Sequence, residues 1–358
     1  MQMCAAFATN RMDVKLVARA PEDDQLTAAA LQHHYGVPKN FEVEQFTLSD
    51  GFRASERFQL RALWKERHET NLCYSRGRDV TAPLLALALG ASAVVEIHGH
   101  PTSLREQLML RAIQAHPRGF LTANSQNLRS FCINSFRMRP ERFFVASNGV
   151  DLARYTPPML QKTARTICGL SADQCYVVYT GGLYDGRGLD TLFTAIRDTP
   201  VKLLLVGGRT QEEITTWQDK ALAMDAKNVC FTGYQPPMRV PLYLAAADML
   251  AMPYSNKVIS PSGEDTTNIM SPLKMFEYMA AARPIVATDL PMIREVLKDQ
   301  HNALLVPPGD ASTLRAALQR LAAMPELGRM LAANARADVA QHTWEARARH
   351  ILANVGVN

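Results

Sequence analysis

Apolar runs of four to seven residues alternate along this chain with longer stretches of helical period. In the second half, residues 176–180, 202–206, 229–232, 249–253, 284–288 and 303–306 read as strands, being short aliphatic or β-branched runs bounded by turn residues. Helical stretches lie between them, near 188–197, 210–224, 238–247, 272–283, 290–298 and 311–323. The first half repeats the style, with strands expected at 14–18, 70–74, 93–97, 119–122 and 143–146. Strand and helix in alternation predict an α/β fold of parallel, doubly wound sheets. Ligands of such sheets sit beyond the carboxyl ends of the strands. The loops to inspect therefore follow Ile97, Thr180, Val206, Thr232 and Pro253.

At 358 residues the chain exceeds the size at which one hydrophobic core stops growing, so two Rossmann-like domains facing a cleft are expected. The boundary falls at Asn148-Gly149-Val150-Asp151, where a strand ends in a turn-forming pair, and Tyr155-Thr156-Pro157-Pro158 reads as an extended linker. The hydrophobic share of 47% is that of an ordinary globular protein. A net charge of +5 is mild, and most of the excess falls in the first 155 residues. With no basic run interleaved by aromatics, nucleic acid is a poor partner. The six cysteines form neither a CxxC pair nor a regular framework, which points to a reducing compartment without structural zinc. The longest apolar run, 82–95, is broken by Pro83 and Gly90 and is too short to span a membrane. A cytoplasmic protein, at most peripheral to the inner membrane face, is expected.

Three places carry chemistry. Residues 260–277, SPSGEDTTNIMSPLKMFE, form a polar loop emptying onto a helix start, with Ser271 as N-cap and Pro272 as first helical residue. Lys274 then sits in the first turn, where the macrodipole disfavours a cation unless an anion lies between the lysine and the free backbone amides, and Glu277 follows one turn later. The same residues read equally as a solvated first turn with an incidental lysine. The loop Gly181-Gly182-Leu183-Tyr184-Asp185-Gly186-Arg187-Gly188 sets four glycines and a forked cation between strand and helix, which suits close approach to a diphosphate. Otherwise it is a tight turn with a solvated arginine. It lacks the GxGxxG pattern of a dehydrogenase. His98 and His100 follow a strand; with no third ligand nearby a metal pair is set aside, and His98 reads as a polar group at the cleft or as a cap on the strand end.

Together these residues resemble a retaining glycosyltransferase of family 4, the glycosyl transferases group 1 with the GT-B fold. Thr122-Ala123-Asn124-Ser125 and the stretch Pro140-Glu141-Arg142-Phe143 to Asp151 resemble the passage into the interdomain linker. Leu203-Leu204-Leu205-Val206-Gly207-Gly208, Phe231-Thr232-Gly233-Tyr234, Ala247-Asp248-Met249-Leu250 and Val306-Pro307-Pro308-Gly309-Asp310 are similar to parts of the donor domain. Ser271-Pro272-Leu273-Lys274-Met275-Phe276-Glu277-Tyr278-Met279-Ala280 resembles a subgroup carrying SPLK before its second glutamate, and Trp344-Glu345-Ala346-Arg347 a terminal helix. The resemblance implies an acceptor-side domain over 1–152, a nucleotide-sugar donor domain over 153–340, and a helix over 341–358 crossing back to the first. It implies that Gly182, Arg187, Ser271 and Lys274 hold the donor diphosphate. Glu277 would hold the ribose, Gly233, Tyr234 and Leu273 would border the base, and His98 would act near the transferred sugar. With no DxD sequence, no metal or other cofactor is expected, and retention would come from front-face attack.

Three departures stand out. Ile269 occupies the place of a first glutamate that meets the donor sugar, and Gly182 that of a phosphate-binding arginine. Residues 1–8 already read as a helix, so the usual central opening strand is expected to lie upstream of Met1, with low stability and weak activity if it is missing. Between 103 and 142, seven arginines beside Leu108, Met109, Leu110, Phe131 and Phe136 read as a surface for anionic lipid or a lipid-linked acceptor, or as an ordinary helix face. Two rival functions remain open: a nucleotide-sugar epimerase of the same fold, and a non-catalytic descendant that only binds nucleotide.

Overall fold

The computed structural model describes residues 1–20, 26–47, 54–77, 80–260 and 263–357. Two compact units result, one formed by Met1–Asn148 with Trp344–Asn358 and one by Gly149–Thr343.

The first unit carries α1 (Gln2–Thr9), β1 (Lys15–Ala20), α2 (Ala28–Tyr35), β2 (Glu42–Thr47), α3 (Ala54–Lys65), β3 (Leu72–Arg76), α4 (Thr81–Ala88), β4 (Ser92–Ile97), α5 (Leu104–Ala115), β5 (Gly119–Ala123), α6 (Gln126–Phe136) and β6 (Phe143–Val145). All its strand pairs are parallel, in the order β3-β4-β5-β6. Among the described residues, β1 and β2 form a separate two-stranded sheet. α1 belongs to the cores of both pieces, Phe7 packing with Val94 and Ala146, and Ala5 with Val37 and Phe41. β2 is a strand that hydrophobic pattern alone does not announce. In Glu-Val-Glu-Gln-Phe-Thr only Val43 and Phe46 are apolar, and its place comes from pairing with β1.

The second unit follows with α7 (Gln161–Cys168), β7 (Tyr176–Thr180), α8 (Leu189–Ile196), β8 (Lys202–Val206), α9 (Gln211–Ala223), β9 (Val229–Gly233), α10 (Val240–Ala246), β10 (Met249–Met252), α11 (Leu273–Ala280), β11 (Ile285–Thr288), α12 (Pro291–Arg294), β12 (Leu304–Val306), α13 (Ala311–Ala323) and α14 (Pro325–Asp338). α15 (Trp344–Val355) returns to the first unit. The six strands run parallel in the order β12-β11-β10-β7-β8-β9. Tyr176-Val177-Val178-Tyr179-Thr180 is buried along its whole length, as a central strand covered on both faces must be. One core packs Val178, Leu250 and Phe276, the other Val177, Leu192 and Trp217.

The order carries a functional consequence. From β7 the chain winds outward to β8 and β9, then returns to place β10 on the other side of β7. The sheet therefore reverses between β7 and β10, and a doubly wound sheet opens a crevice at the carboxyl ends of such a pair.

Candidate functional site

The loop leaving β7 and the segment after β10 meet at that reversal. A Cβ on Gly188, at φ +71°, would lie 1.6 Å from the carbonyl oxygen of Pro253, and one on Gly186 2.7 Å from that of Lys257. Two of the loop's four glycines thus serve chain-to-chain packing. Glu213 pins the other end: its carboxylate accepts from the N–H groups of Leu183 (2.8 Å) and Arg209 (2.6 Å). Its own N–H donates to the Thr210 hydroxyl that caps α9 (3.1 Å). The Thr-x-x-Glu spacing of a capping box is legible in the sequence and was the available signal for this residue.

Arg187 and Lys274 come together between these elements. Arg187 donates through Nη1 to the Tyr254 hydroxyl at 2.7 Å, and its guanidinium lies 4.2 Å from the centroid of the Tyr184 ring. Its Nε is buried without a hydrogen-bond partner. Lys274 Nζ is likewise buried and unpartnered, 3.6 Å from the centroid of Tyr179 and 5.6 Å from that of Tyr254. Tyr179 donates its hydroxyl to the carbonyl of Gly182 at 2.9 Å, and the N–H of Thr180 donates to the Tyr278 hydroxyl at 2.8 Å. Burial, and then the Arg187 charge, hold the Lys274 ammonium well below the ordinary lysine range, with Glu277 opposing. Burial also raises the Glu277 carboxyl, against the pull of Lys274 and Arg154. Both groups are shifted toward neutrality, so desolvation outweighs their mutual attraction. Three buried tyrosines, none of them expected from sequence, form the wall of this cation pair.

The helix start differs from the expected one. α11 begins at Leu273, and Pro272 occupies the cap with extended backbone (ψ 124°). Ser271 is therefore not the N-cap but lies one residue further out, buried. The cause is the backbone of Pro272: its ring fixes φ near −66°, which suits a helical or an extended residue alike, and with ψ extended the turn closes one residue later, the Pro272 carbonyl accepting from the Met275 N–H at 3.1 Å. Lys274 becomes the second residue of the helix, in the turn whose amides have no intrahelical acceptor. Pro261 and Ser262 of the preceding loop lie outside the described residues. Ile269 is 3% exposed, packed inward. Gly233 ends β9 and accepts from the Gly207 N–H at 3.0 Å. Tyr234 and Leu273 are exposed, at 58% and 49%, outside the buried cluster.

His98 stands in the first unit, at the end of β4. Its Nε2 lies 2.7 Å from Glu96 Oε1 and 2.8 Å from Arg76 Nε, and its Nδ1 3.3 Å from the Asn124 amide nitrogen. Glu96 is 1% exposed. It also accepts from Arg347 of α15 at 2.6 Å and from the Tyr74 hydroxyl. Burial alone would raise the Glu96 carboxyl; the hydrogen bond to His98 and the Arg347 charge override it and hold the group far below the carboxylate range. His100 packs its ring on Phe131 at 4.2 Å.

The arginines of 103–142 are largely occupied. Arg111 donates to the Phe136 carbonyl, Arg118 to that of Gly90, Arg129 to those of Phe143 and Pro140, and Arg142 to that of Pro117, while Arg105 pairs with Glu56 at 2.9 Å. Most of these guanidinium groups are thus held in place by neutral carbonyls and keep their charge. Among the described residues, no group of three or more His, Cys, Asp and Glu is placed to hold a metal ion, and no helix is long and apolar enough to cross a membrane.

Known proteins share this pattern. Residues 174–324 match the family described as Glycosyl transferases group 1. D-inositol 3-phosphate glycosyltransferase of Jonesia denitrificans is 26% identical over 228 residues, covering 60% of this chain and 51% of the relative. That of Xylanimonas cellulosilytica is 28% identical over 222 residues, covering 59% and 50%. The chain spans about half the length of the curated relatives it matches. HepE of Anabaena, solved with UDP and glucose, superposes with a TM-score of 0.75 at 19% identity, over 99% of this chain and 95% of that one. Sucrose-phosphate synthase of Thermosynechococcus elongatus gives 0.72 at 19%, over 98% and 90%. The chain therefore has the α/β fold of GT-B glycosyltransferases, and its residues 174–324 carry the sequence pattern of the Glycosyl transferases group 1 family.

Proposed function

We propose that this chain is a glycosyltransferase that takes a sugar from a nucleoside-diphosphate donor, held by its diphosphate between Arg187 and Lys274. One observation carries the reading: a buried lysine and a half-buried arginine, each with a buried nitrogen lacking a hydrogen-bond partner, at the reversal of a doubly wound sheet. Departure of a nucleoside diphosphate needs fixed positive charge on its leaving oxygens, and preorganised donors in a dry site supply it most strongly. These cations do what a divalent metal does elsewhere, so the proposal includes independence from metal, with retention of configuration following the family resemblance. Glu277 is assigned to the ribose, Gly233, Tyr234 and Leu273 to the base, and His98, oriented by Glu96, to the sugar.

UDP is the first nucleotide to offer, because HepE was solved with it. D-inositol 3-phosphate is the first acceptor, from the names of the relatives. Isothermal titration with UDP, GDP and ADP tests the clamp. Arg187→Ala and Lys274→Ala should each weaken binding by about 1.5 to 3 kcal/mol, the usual worth of a charge-assisted hydrogen bond. Unchanged affinity in both variants overturns it. Buried Ile269 favours a second reading, nucleotide binding without sugar transfer. Binding of nucleotide without donor hydrolysis for any sugar would select that reading.

A further inference from the structure

The cluster around Lys274 sets two cations side by side. The Lys274 amine and the Arg187 guanidinium both lie against the Tyr254 ring, and neither Lys274 Nζ nor Arg187 Nε, both buried, has a hydrogen-bond acceptor. The groups facing Lys274 are the Tyr179 ring from β7, Arg187 from the β7–α8 loop, Tyr254 from the segment after β10, and Glu277 from α11 itself; Tyr278 of α11 lies behind them, its hydroxyl taken by the Thr180 N–H. Glu213 of α9 faces Tyr179 from behind, with its carboxylate engaged by two backbone N–H groups. A Cβ on Gly181 would stand 3.1 Å from Lys274 Nζ, so the loop backbone approaches the amine closely. Arginine does not lose its proton in proteins. Lysine can, and burial beside a like charge is the environment that makes it do so.

Resting on the nucleotide-site reading, we propose that Lys274 is a proton-coupled receptor for the diphosphate: a neutral amine in the free protein that takes one proton from solvent as the anion binds. The step balances simply. The amine lone pair accepts a proton, and the resulting ammonium meets a phosphoryl oxygen. The three tyrosine hydroxyls are held above their ordinary range by burial and do not compete for that proton across the working pH range. The direction of the Lys274 shift in the free protein agrees with the geometry, and a bound diphosphate shifts it back upward. Uptake is therefore absent at low pH, where the amine is already charged. It approaches one proton between the free and bound values, and there the dissociation constant rises by up to about tenfold per pH unit.

The experiment is calorimetric titration of the intact protein with UDP, at several pH values from 7.5 to 9.5, in buffers of different ionisation enthalpy. In this range the secondary phosphate of the nucleotide, which titrates near pH 6, is already ionised. The expected result is a buffer-dependent heat corresponding to uptake approaching one proton, lost in Lys274→Met and in the permanently charged Lys274→Arg. Binding whose heat is the same in every buffer overturns the proton coupling and leaves the clamp standing. Uptake that persists in Lys274→Met moves the proton to another group, Glu277 first, and also overturns the assignment. If UDP, GDP and ADP all fail to bind, the nucleotide-site reading falls and this inference with it.

Discussion

Lys274 illustrates a residue kept against the interest of the fold. An amine buried without an acceptor loses its hydration and gains only the face of Tyr179 in return. An unsatisfied buried donor costs about 1 to 3 kcal/mol, which an apolar side chain of similar volume does not incur. Lys274→Met is therefore expected to raise the urea midpoint of the free protein while abolishing the additional stabilisation by UDP. A midpoint below that of the parent would show that the lysine is structurally required. The linkage has a definite sign. A lysine depressed on folding costs stability at every pH below its unfolded value near 10.4, so the parent should gain stability relative to Lys274→Met as pH rises toward 10. Arg187, Lys274 and Glu277 were legible in the sequence because charged residues beside glycines and prolines break the apolar pattern. Tyr179, Tyr254 and Tyr278 were not, since an aromatic in a buried run looks like core until the fold shows what its ring faces.

At the level of elements, the β7–α8 loop and α15 make separate demands. Alanine at Gly188 puts a Cβ onto the Pro253 carbonyl in a left-handed conformation that by itself costs an L-residue about 1 to 2 kcal/mol. Gly188→Ala should destabilise the protein by at least about 2 kcal/mol and weaken UDP, because Arg187 moves with the loop; a variant melting within a degree of the parent would refute the packing role. α15 holds Arg347, 3% exposed in its side chain, against Glu96. Arg347→Met leaves a carboxylate buried without its guanidinium partner and should cost about 3 to 5 kcal/mol at neutral pH, measured by urea unfolding. Glu96 is depressed on folding, so the stability it contributes is present above the unfolded carboxylate value near 4.3 and is lost as pH falls below it. The variant should show a smaller acid limb, since His98 and Tyr74 still hydrogen-bond the carboxylate. Long, strongly periodic elements such as β7, β8 and α9 could be read from pattern alone. The start of α11 could not, because a serine before proline looks like a cap by composition, while proline's fixed φ fits a helical or an extended residue and its ψ is set by the surrounding fold. Nor could Arg347 meeting Glu96, which are 251 positions apart.

For the whole molecule, the path of the chain separates two kinds of vulnerability. Both ends lie in the first unit, where α1 and α15 share a core of Ala6, Phe7, Ala348, Ile351 and Leu352. The second unit is one uninterrupted stretch, 149–343, and contains every residue assigned to the nucleotide. Removing 344–358 strips apolar surface and the Arg347 charge from the first unit alone. A ligand at Arg187 and Lys274 acts on the second, by about 2.7 kcal/mol at a concentration 100 times its dissociation constant. Limited proteolysis of the protein lacking 344–358 should accordingly cut first within residues 1–148. A fragment spanning 149–343 should survive longer, and UDP should lengthen its lifetime while leaving the early cuts unchanged. Cleavage that begins inside 149–343, or a fragment whose lifetime ignores UDP, would mean that the nucleotide-binding stretch depends on the terminal helix. The division of labour between the units would then be wrong.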